Sequence, residues 1–472
     1  MTMIRWRALI PISVGIAIIL MPVPDGLKPN GWYYFAIFVA TIIGVILEPI
    51  SVPGVGIIGI VLTSSLGLVE SKPGDAVRWA LSGFSNTTVW LVFAAFIFGL
   101  GYEKTGLGKR IALALVKTLG GKTLGLGYAI CLTDLVLAPF TPSSTARSGG
   151  MIYPVVRNIP GLYGSETGDT ARRIGSYIMW TALAASTITS SMFSTAGAPN
   201  LLALALVQKA VHVEISWLDW FLGFLPAGII LFFSLPFLIY LIYPPEIKIS
   251  KEIPPWAAQQ LEKMGKISSQ EVAMVLLVLL AATLWIFGSS IIDATLVALM
   301  GVALMLILRI ITWDDILGYK PAWNNLGFFG TLVTMADGLN RVGFVTWFAK
   351  AAVALLAGIP PIIIMVILVV IYFVAHYMFA SNTAHVTAIL PVMLVAGDAL
   401  PGIPLKIFAM LLCYSIGIQG IITPYATGPS PVYYGSGFLP PKDFWILGAI
   451  FGFIFLAVML VIEVPYLTVL KP

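Results

Sequence analysis

The sequence predicts an all-α polytopic membrane protein, with about eleven transmembrane helices and two re-entrant hairpins in an inverted repeat. Three observations carry that expectation: an apolar composition, long hydrophobic runs joined by short polar loops, and a polar motif that occurs twice. Of the 472 residues, 59% are hydrophobic and 10% are charged, and mean hydropathy is +0.98. A soluble domain carries about 25% charged residues, so this chain has too few polar side chains to cover a water-facing surface. Lipid must solvate it. Continuous runs at 90–100, 272–286 and 360–374 favour helices over barrel strands, which show only alternating segments of about ten residues.

Spans are expected at about 8–23, 32–48, 53–69, 86–102, 176–196, 219–243, 272–291, 294–311, 322–339, 404–418 and 444–468. The first follows Arg5 and Arg7 and has no small-residue cleavage site after it, so it reads as an uncleaved helix. Two further apolar regions, about 123–156 and 359–396, are broken at their centres by Pro, Ser, Thr and Gly. Backbone freed in this way cannot face lipid, where each unpaired group costs several kcal/mol. Both regions therefore read as hairpins whose tips meet a polar cavity. Amphipathic stretches at about 108–119 and 345–356 precede them and are expected along the membrane surface.

The basic residues set the orientation. Lys104, Lys109, Arg110, Arg157, Arg172, Arg173 and the lysines of the 244–271 linker gather on one side. That side is the cytoplasmic one by the positive-inside rule, with the N-terminus inside. The scatter of these charges through short loops argues against nucleic-acid binding. The Pro-rich, mixed-charge linker 244–271 separates a first half, 1–243, from a second half, 272–472. Lys104-Thr105-Gly106 and Arg341-Val342-Gly343 end corresponding spans. Ser143-Ser144-Thr145 and Ser381-Asn382-Thr383 follow at matching distances, each with a proline after it, Pro154 and Pro391. Inverted repeats with broken helices and a midplane site are a secondary-transporter architecture.

Two more clusters interrupt apolar helices, Ser194-Thr195-Ala196-Gly197-Ala198-Pro199-Asn200 and Thr423-Pro424-Tyr425-Ala426-Thr427-Gly428-Pro429. Proline removes a backbone donor and glycine relaxes the chain. Freed N–H groups beside Ser, Thr and Asn make a neutral, donor-rich cradle that suits a carboxylate. Read singly, such a cluster is a kink or a close helix contact; four of them paired across two repeats read as one site.

The segment Thr141-Pro-Ser-Ser-Thr-Ala-Arg-Ser-Gly-Gly-Met-Ile-Tyr-Pro154, followed by Asn158-Ile-Pro-Gly-Leu-Tyr-Gly-Ser165, resembles the divalent anion/sodium symporter family. It is most similar to the branch of citrate/succinate and tartrate/succinate antiporters and plastid 2-oxoglutarate/malate translocators. The second signature, Ser381-Asn382-Thr383, is intact, and the resemblance covers nearly the whole chain. It implies an eleven-span fold with two hairpins, a homodimer, and an elevator-like movement of the substrate-carrying part. It also implies that Ser143, Ser144, Thr145, Ser381, Asn382 and Thr383 contact substrate carboxylates, with Gly197, Pro199, Asn200, Thr423 and Pro424 in the helix breaks.

Ser144 departs from the family pattern, in which asparagine stands there, and two residues beyond each motif's threonine sit Arg147 and His385. A central intramembrane Arg costs at least about 2.5 kcal/mol, so such residues are functional candidates. The expectation is that Arg147 and His385 stand where sodium ions sit in coupled relatives and compensate substrate charge. An empty, positively charged site would then cross the membrane reluctantly, which enforces exchange. The plainer readings are a buried Arg147–Asp134 pair and a neutral, hydrogen-bonded His385.

No H-E-x-x-H motif, paired intramembrane aspartates, metal-ligand cluster or cofactor motif points to an enzyme, and Cys131 and Cys413 read as small buried hydrophobes. A channel would show a continuous polar pore rather than one clustered site. The function expected is therefore a sodium-independent exchanger of di- and tricarboxylates such as succinate, malate, fumarate and 2-oxoglutarate. A bacterial cytoplasmic membrane is its expected place, and a sodium-coupled dicarboxylate symporter is the alternative.

Overall fold

The computed structural model describes residues 2–288, 291–344, 346–348 and 359–470. Among them the regular elements are helices, with a single isolated bridge between Lys122 and Ile249. A helix lies at each expected span, from Thr2–Leu20 to Pro441–Leu470. Among the described residues, six helices are by themselves long and apolar enough to cross a bilayer, including Trp217–Ile242, Ser269–Phe287 and Pro441–Leu470. The second expected surface segment, 345–356, lies outside the described residues apart from 346–348. The first is the helix Leu107–Leu119, whose Leu107, Ala112, Leu113 and Val116 are buried. It packs against Ile253–Met264, a linker helix that the sequence reading did not anticipate. Pro254 and Pro255 start that helix, where their missing N–H groups cost nothing.

Packing sorts the helices into two groups. Thr2–Leu20, Pro29–Leu47, Val52–Ser65, Thr87–Thr105, Ser269–Phe287, Ala294–Ile307 and Lys320–Arg341 are linked by mutual contacts, with Lys320–Arg341 bridging Val52–Ser65 and Thr87–Thr105. Thr123–Leu137, Gly175–Met192, Trp217–Ile242, the hairpin helices Pro361–Ala375 and Asn382–Ala399, Leu405–Ile418 and Pro441–Leu470 form the second group. Each group draws on both halves of the sequence. Gly175–Met192 is buried along its whole length, as a helix that is apolar or small on every face must be. The outermost helices instead expose Leu276, Leu279, Phe453 and Val461, a surface suited to lipid.

Ala198–Val211, absent from the expected spans, stands between the groups. It touches Thr87–Thr105 and Lys320–Arg341 on one side and Asn382–Ala399 and Leu405–Ile418 on the other. Its sequence signal was the apolar run Leu201–Val207 directly after the break at Pro199.

Buried polar groups tie the second group together. Pro226 interrupts the hydrogen-bond ladder of Trp217–Ile242, and the neighbouring Ala227 N–H donates to the buried Glu463 at 2.8 Å. Ser191 Oγ donates to the Tyr414 carbonyl at 2.7 Å and accepts from the Ile418 N–H at 3.0 Å, joining two buried helices.

Candidate functional site

Each of the four interrupted segments takes the conformation its composition dictates. In the first hairpin, the helix Thr123–Leu137 ends in a short turn, Ala138–Phe140. The chain then runs extended at Thr141 and re-enters as a π-helix, Thr145–Ile152. Wider helical turns of this kind are rare and are frequently found at functional sites. Ser143 Oγ accepts from the Ala146 N–H at 3.2 Å and caps the re-entering arm. In the second hairpin Ser381 is the N-cap of Asn382–Ala399, with its Oγ 3.5 Å from the Ala384 N–H. The two motifs therefore occupy the same kind of place, the N-terminus of the second arm.

The first helix break follows Met192 and is spanned by the turn Ser194–Ala196 and Gly197. Asn200 donates to the carbonyls of Ser190 (2.6 Å) and Phe193 (3.1 Å), bracing the end of the broken helix. Here the expected free donors are already taken. The Ala198 N–H donates to the Pro142 carbonyl at 2.7 Å, locking this break onto the first hairpin tip. The second break runs from Gln419 to Gly428, ahead of the short helix Pro429–Gly435.

All four segments meet at one cavity of about 350 Å³. Ser143, Ser144, Thr145, Ser381, Asn382, Thr383, Gly197, Pro199 and Asn200 line it. Thr423 and Pro424 do not; from the second break it is Thr427 and Gly428 that reach the wall. Pro142 and Ala198 line it as well, and Phe96, Ser190, Pro321, Asn325 and Gly417 complete the lining; these last five had no signal in the sequence, because long-range packing brings them there. None of the lining residues carries a formal charge. A neighbouring cavity of about 500 Å³ shares Asn325, Ser381 and Thr383 and extends to Glu48 and Ser51–Pro53.

The two basic side chains lie behind this wall. Arg147 is fully buried, and its Nε is 3.1 Å from Asp134 Oδ2. Nη1 donates to the carbonyls of Thr141 (3.0 Å) and Ala196 (2.8 Å), and Nη2 to Ser190 Oγ (3.0 Å). Thr189 Oγ1 donates to the same carboxylate oxygen. Arg147 is thus paired and hydrogen-bonded, not a free cation in the cavity, because an unpaired charge at this depth would be prohibitive. This corrects the picture of an empty site with a bare positive charge. His385 is also buried. Its Nδ1 lies 2.9 Å from the Gln419 amide nitrogen, an arrangement of a neutral imidazole accepting from Gln419. His376, at the end of the first arm, sits with its ring 5.0 Å from that of His385, and its Nε2 is 3.1 Å from the Ala426 carbonyl. Both histidines hold the second break against the second hairpin.

Over residues 3–471 the chain matches the family model described as the sodium:sulfate symporter transmembrane region. The chain belongs to this family. The resemblance carried by its two paired motifs therefore stands as membership. Among relatives of this symporter-family chain, an L-tartrate/succinate antiporter of Escherichia coli O6:K15:H31 is 49% identical, over 97% of this chain and 96% of that one. A citrate/succinate antiporter of Escherichia coli K12 is 48% identical, over 98% of each. Among solved structures, the YdaH transporter of Alcanivorax borkumensis shares the fold with a TM-score of 0.54. It is 15% identical and the match covers 82% of this chain and 88% of that one.

Proposed function

We propose that this protein exchanges di- and tricarboxylates of the succinate, malate, fumarate and 2-oxoglutarate class across a bacterial cytoplasmic membrane, independently of sodium. The observation that carries this reading is the pairing of Ser143–Thr145 and Ser381–Thr383 on the wall of one cavity. A dicarboxylate has two acceptor groups, and two capped helix N-termini with hydroxyl and amide donors suit them. Relatives 48–49% identical over nearly the full length are antiporters of such acids, which supports both the substrate class and the exchange mode.

Sodium independence rests on what occupies the oxygens behind the wall. Arg147 takes the Thr141 and Ala196 carbonyls, and His376 takes that of Ala426. Carbonyls used in this way are not free for an ion. The sodium-coupled alternative keeps one observation in its favour: Gln419 Oε1, Thr387 Oγ1 and Thr423 Oγ1 are buried without partners. Exchange follows from the donors of the cavity. An empty site would carry unpaired donors through the membrane at about 1–3 kcal/mol each, whereas a loaded one satisfies them. The two helix groups, with Ala198–Val211 between them, suit an elevator movement of the second group past the first. A homodimer with cytoplasmic N-termini completes the proposal.

The test is uptake of labelled succinate into proteoliposomes loaded with unlabelled succinate, with sodium present or replaced. Uptake that needs internal substrate and ignores sodium supports exchange; a strict sodium requirement points to symport.

A further inference from the structure

Behind the neutral wall lies a polar layer whose charge is set by two residues. The Arg147 guanidinium faces the cavity wall through the Thr141 carbonyl, the Ala196 carbonyl and Ser190 Oγ. Ser190 lines the cavity directly, and Thr141 and Ala196 adjoin the lining residues Pro142 and Gly197. On the opposite side, Asp134 receives Arg147 Nε and Thr189 Oγ1 on one oxygen, while its other oxygen, Oδ1, is buried without a partner. Both side chains have no solvent exposure. Water therefore does not screen the pair, and the charge felt at the cavity is the sum of the two.

We propose that Asp134 is a positioning residue that sets how much of the Arg147 charge reaches the cavity, and through it the preference for dianions over trianions. The inference rests on the carboxylate-exchange reading of the same site. With the pair intact, the layer is neutral overall and the donors of the wall are neutral, which suits a ligand of modest charge. A third negative charge on the ligand would find no counter-charge. Removing the Asp134 charge uncovers one positive charge behind the wall, and each ligand then gains in proportion to its own charge. At an effective dielectric of about 20, one unit charge roughly 10 Å from another changes affinity on the order of tenfold. The ratio of trianion to dianion affinity changes by that same factor.

The test uses the purified full chain in proteoliposomes, with succinate and citrate competing for labelled succinate exchange at a pH where citrate is trivalent. Ligand-induced thermal stabilisation in detergent provides a second reading of the same ratio. Asp134→Asn is expected to raise the citrate-to-succinate affinity ratio about tenfold. Asp134→Glu and the double variant Arg147→Gln/Asp134→Asn, in which the pair stays neutral, are expected to keep the wild-type ratio. A pair that matters only for packing would leave the ratio unchanged in Asp134→Asn and would overturn the proposal. If Asp134→Asn does not fold, Arg147→Gln decides: uncovering the Asp134 charge is expected to lower the citrate-to-succinate affinity ratio about tenfold, and an unchanged ratio overturns the proposal. A wild type that neither exchanges nor binds either acid fails the transport reading instead.

Discussion

Arg147 and Asp134 meet across the two arms of the first hairpin, 3.1 Å apart and without solvent exposure, and the same guanidinium holds the carbonyls on either side of the cavity wall. This pair joins the hairpin tip to the first helix break. Losing one partner strands a buried charge, at a cost of about 3–5 kcal/mol, whereas replacing both partners is often close to neutral. Arg147→Gln should therefore lower the melting temperature in detergent sharply, and Arg147→Gln/Asp134→Asn should recover most of that loss. Additive effects of the two substitutions on thermal unfolding would show that the residues do not act as a pair.

Gly428 and Gly197 both line the cavity but differ in the room around them. A Cβ on Gly428 would fall 1.8 Å from Thr145 Oγ1, whereas one on Gly197 would meet nothing nearer than Pro199 Cδ at 3.6 Å. Neither needs a left-handed backbone, since φ is −59° at Gly428 and −157° at Gly197. Gly428→Ala should displace the first motif and cut exchange more than about tenfold, while Gly197→Ala should fold and melt as the wild type does. Equal activity of the two variants would contradict the placement of Thr145 against Gly428.

Asn382 sits in the cavity wall at the start of the second arm, with its side-chain oxygen 3.4 Å from the Gln419 amide. A hydrogen bond to a charged group contributes about 1.5–3 kcal/mol. Asn382→Ala should weaken apparent succinate affinity by roughly 10- to 100-fold, with little change in melting temperature. Competition binding measures the first and thermal unfolding the second; loss of both together would mark Asn382 as structural.

Outside the membrane, Lys104 pairs with Asp315 at 2.5 Å. The ammonium of Lys104, with the Thr312 N–H and hydroxyl, holds the Asp315 carboxyl down to about 2. A depressed carboxylate contributes stability above its unfolded value of about 3.9 and loses it as pH falls through the folded value. Asp315→Asn should therefore melt below the wild type at neutral pH, and the gap should close between about pH 4 and pH 2. A gap that stays constant over that range would exclude the ion pair as its source.

The fold was largely legible because lipid imposes a simple rule, a run of apolar residues for each helix. Both hairpins were legible for the opposite reason, since Pro142, Ser143 and Ser381 break runs that lipid would otherwise require to be continuous. Helix Ala198–Val211 escaped because its apolar run is short and begins inside a break that was read as an ending. At the site, the two motifs identified themselves by symmetry. Phe96, Pro321 and Asn325 could not, because they belong to ordinary helices that reach the cavity only through packing. In the second break, Thr423 and Pro424 drew notice by composition, yet the wall is formed by Thr427 and Gly428, a choice made by backbone direction rather than residue type. The charge on Arg147 was visible in the sequence, and its pairing with Asp134, thirteen positions earlier, stood there as the plainer reading; the fold of the two hairpin arms decides for that pair.

The central claim is exchange at the cavity shared by Ser143–Thr145 and Ser381–Thr383, and counterflow tests it most directly. Labelled succinate would be offered to proteoliposomes that are either empty or loaded with unlabelled succinate, in sodium and in sodium-free buffer. The expected result is uptake only into loaded vesicles, at the same rate in both buffers. Uptake into empty vesicles driven by an inward sodium gradient would contradict it.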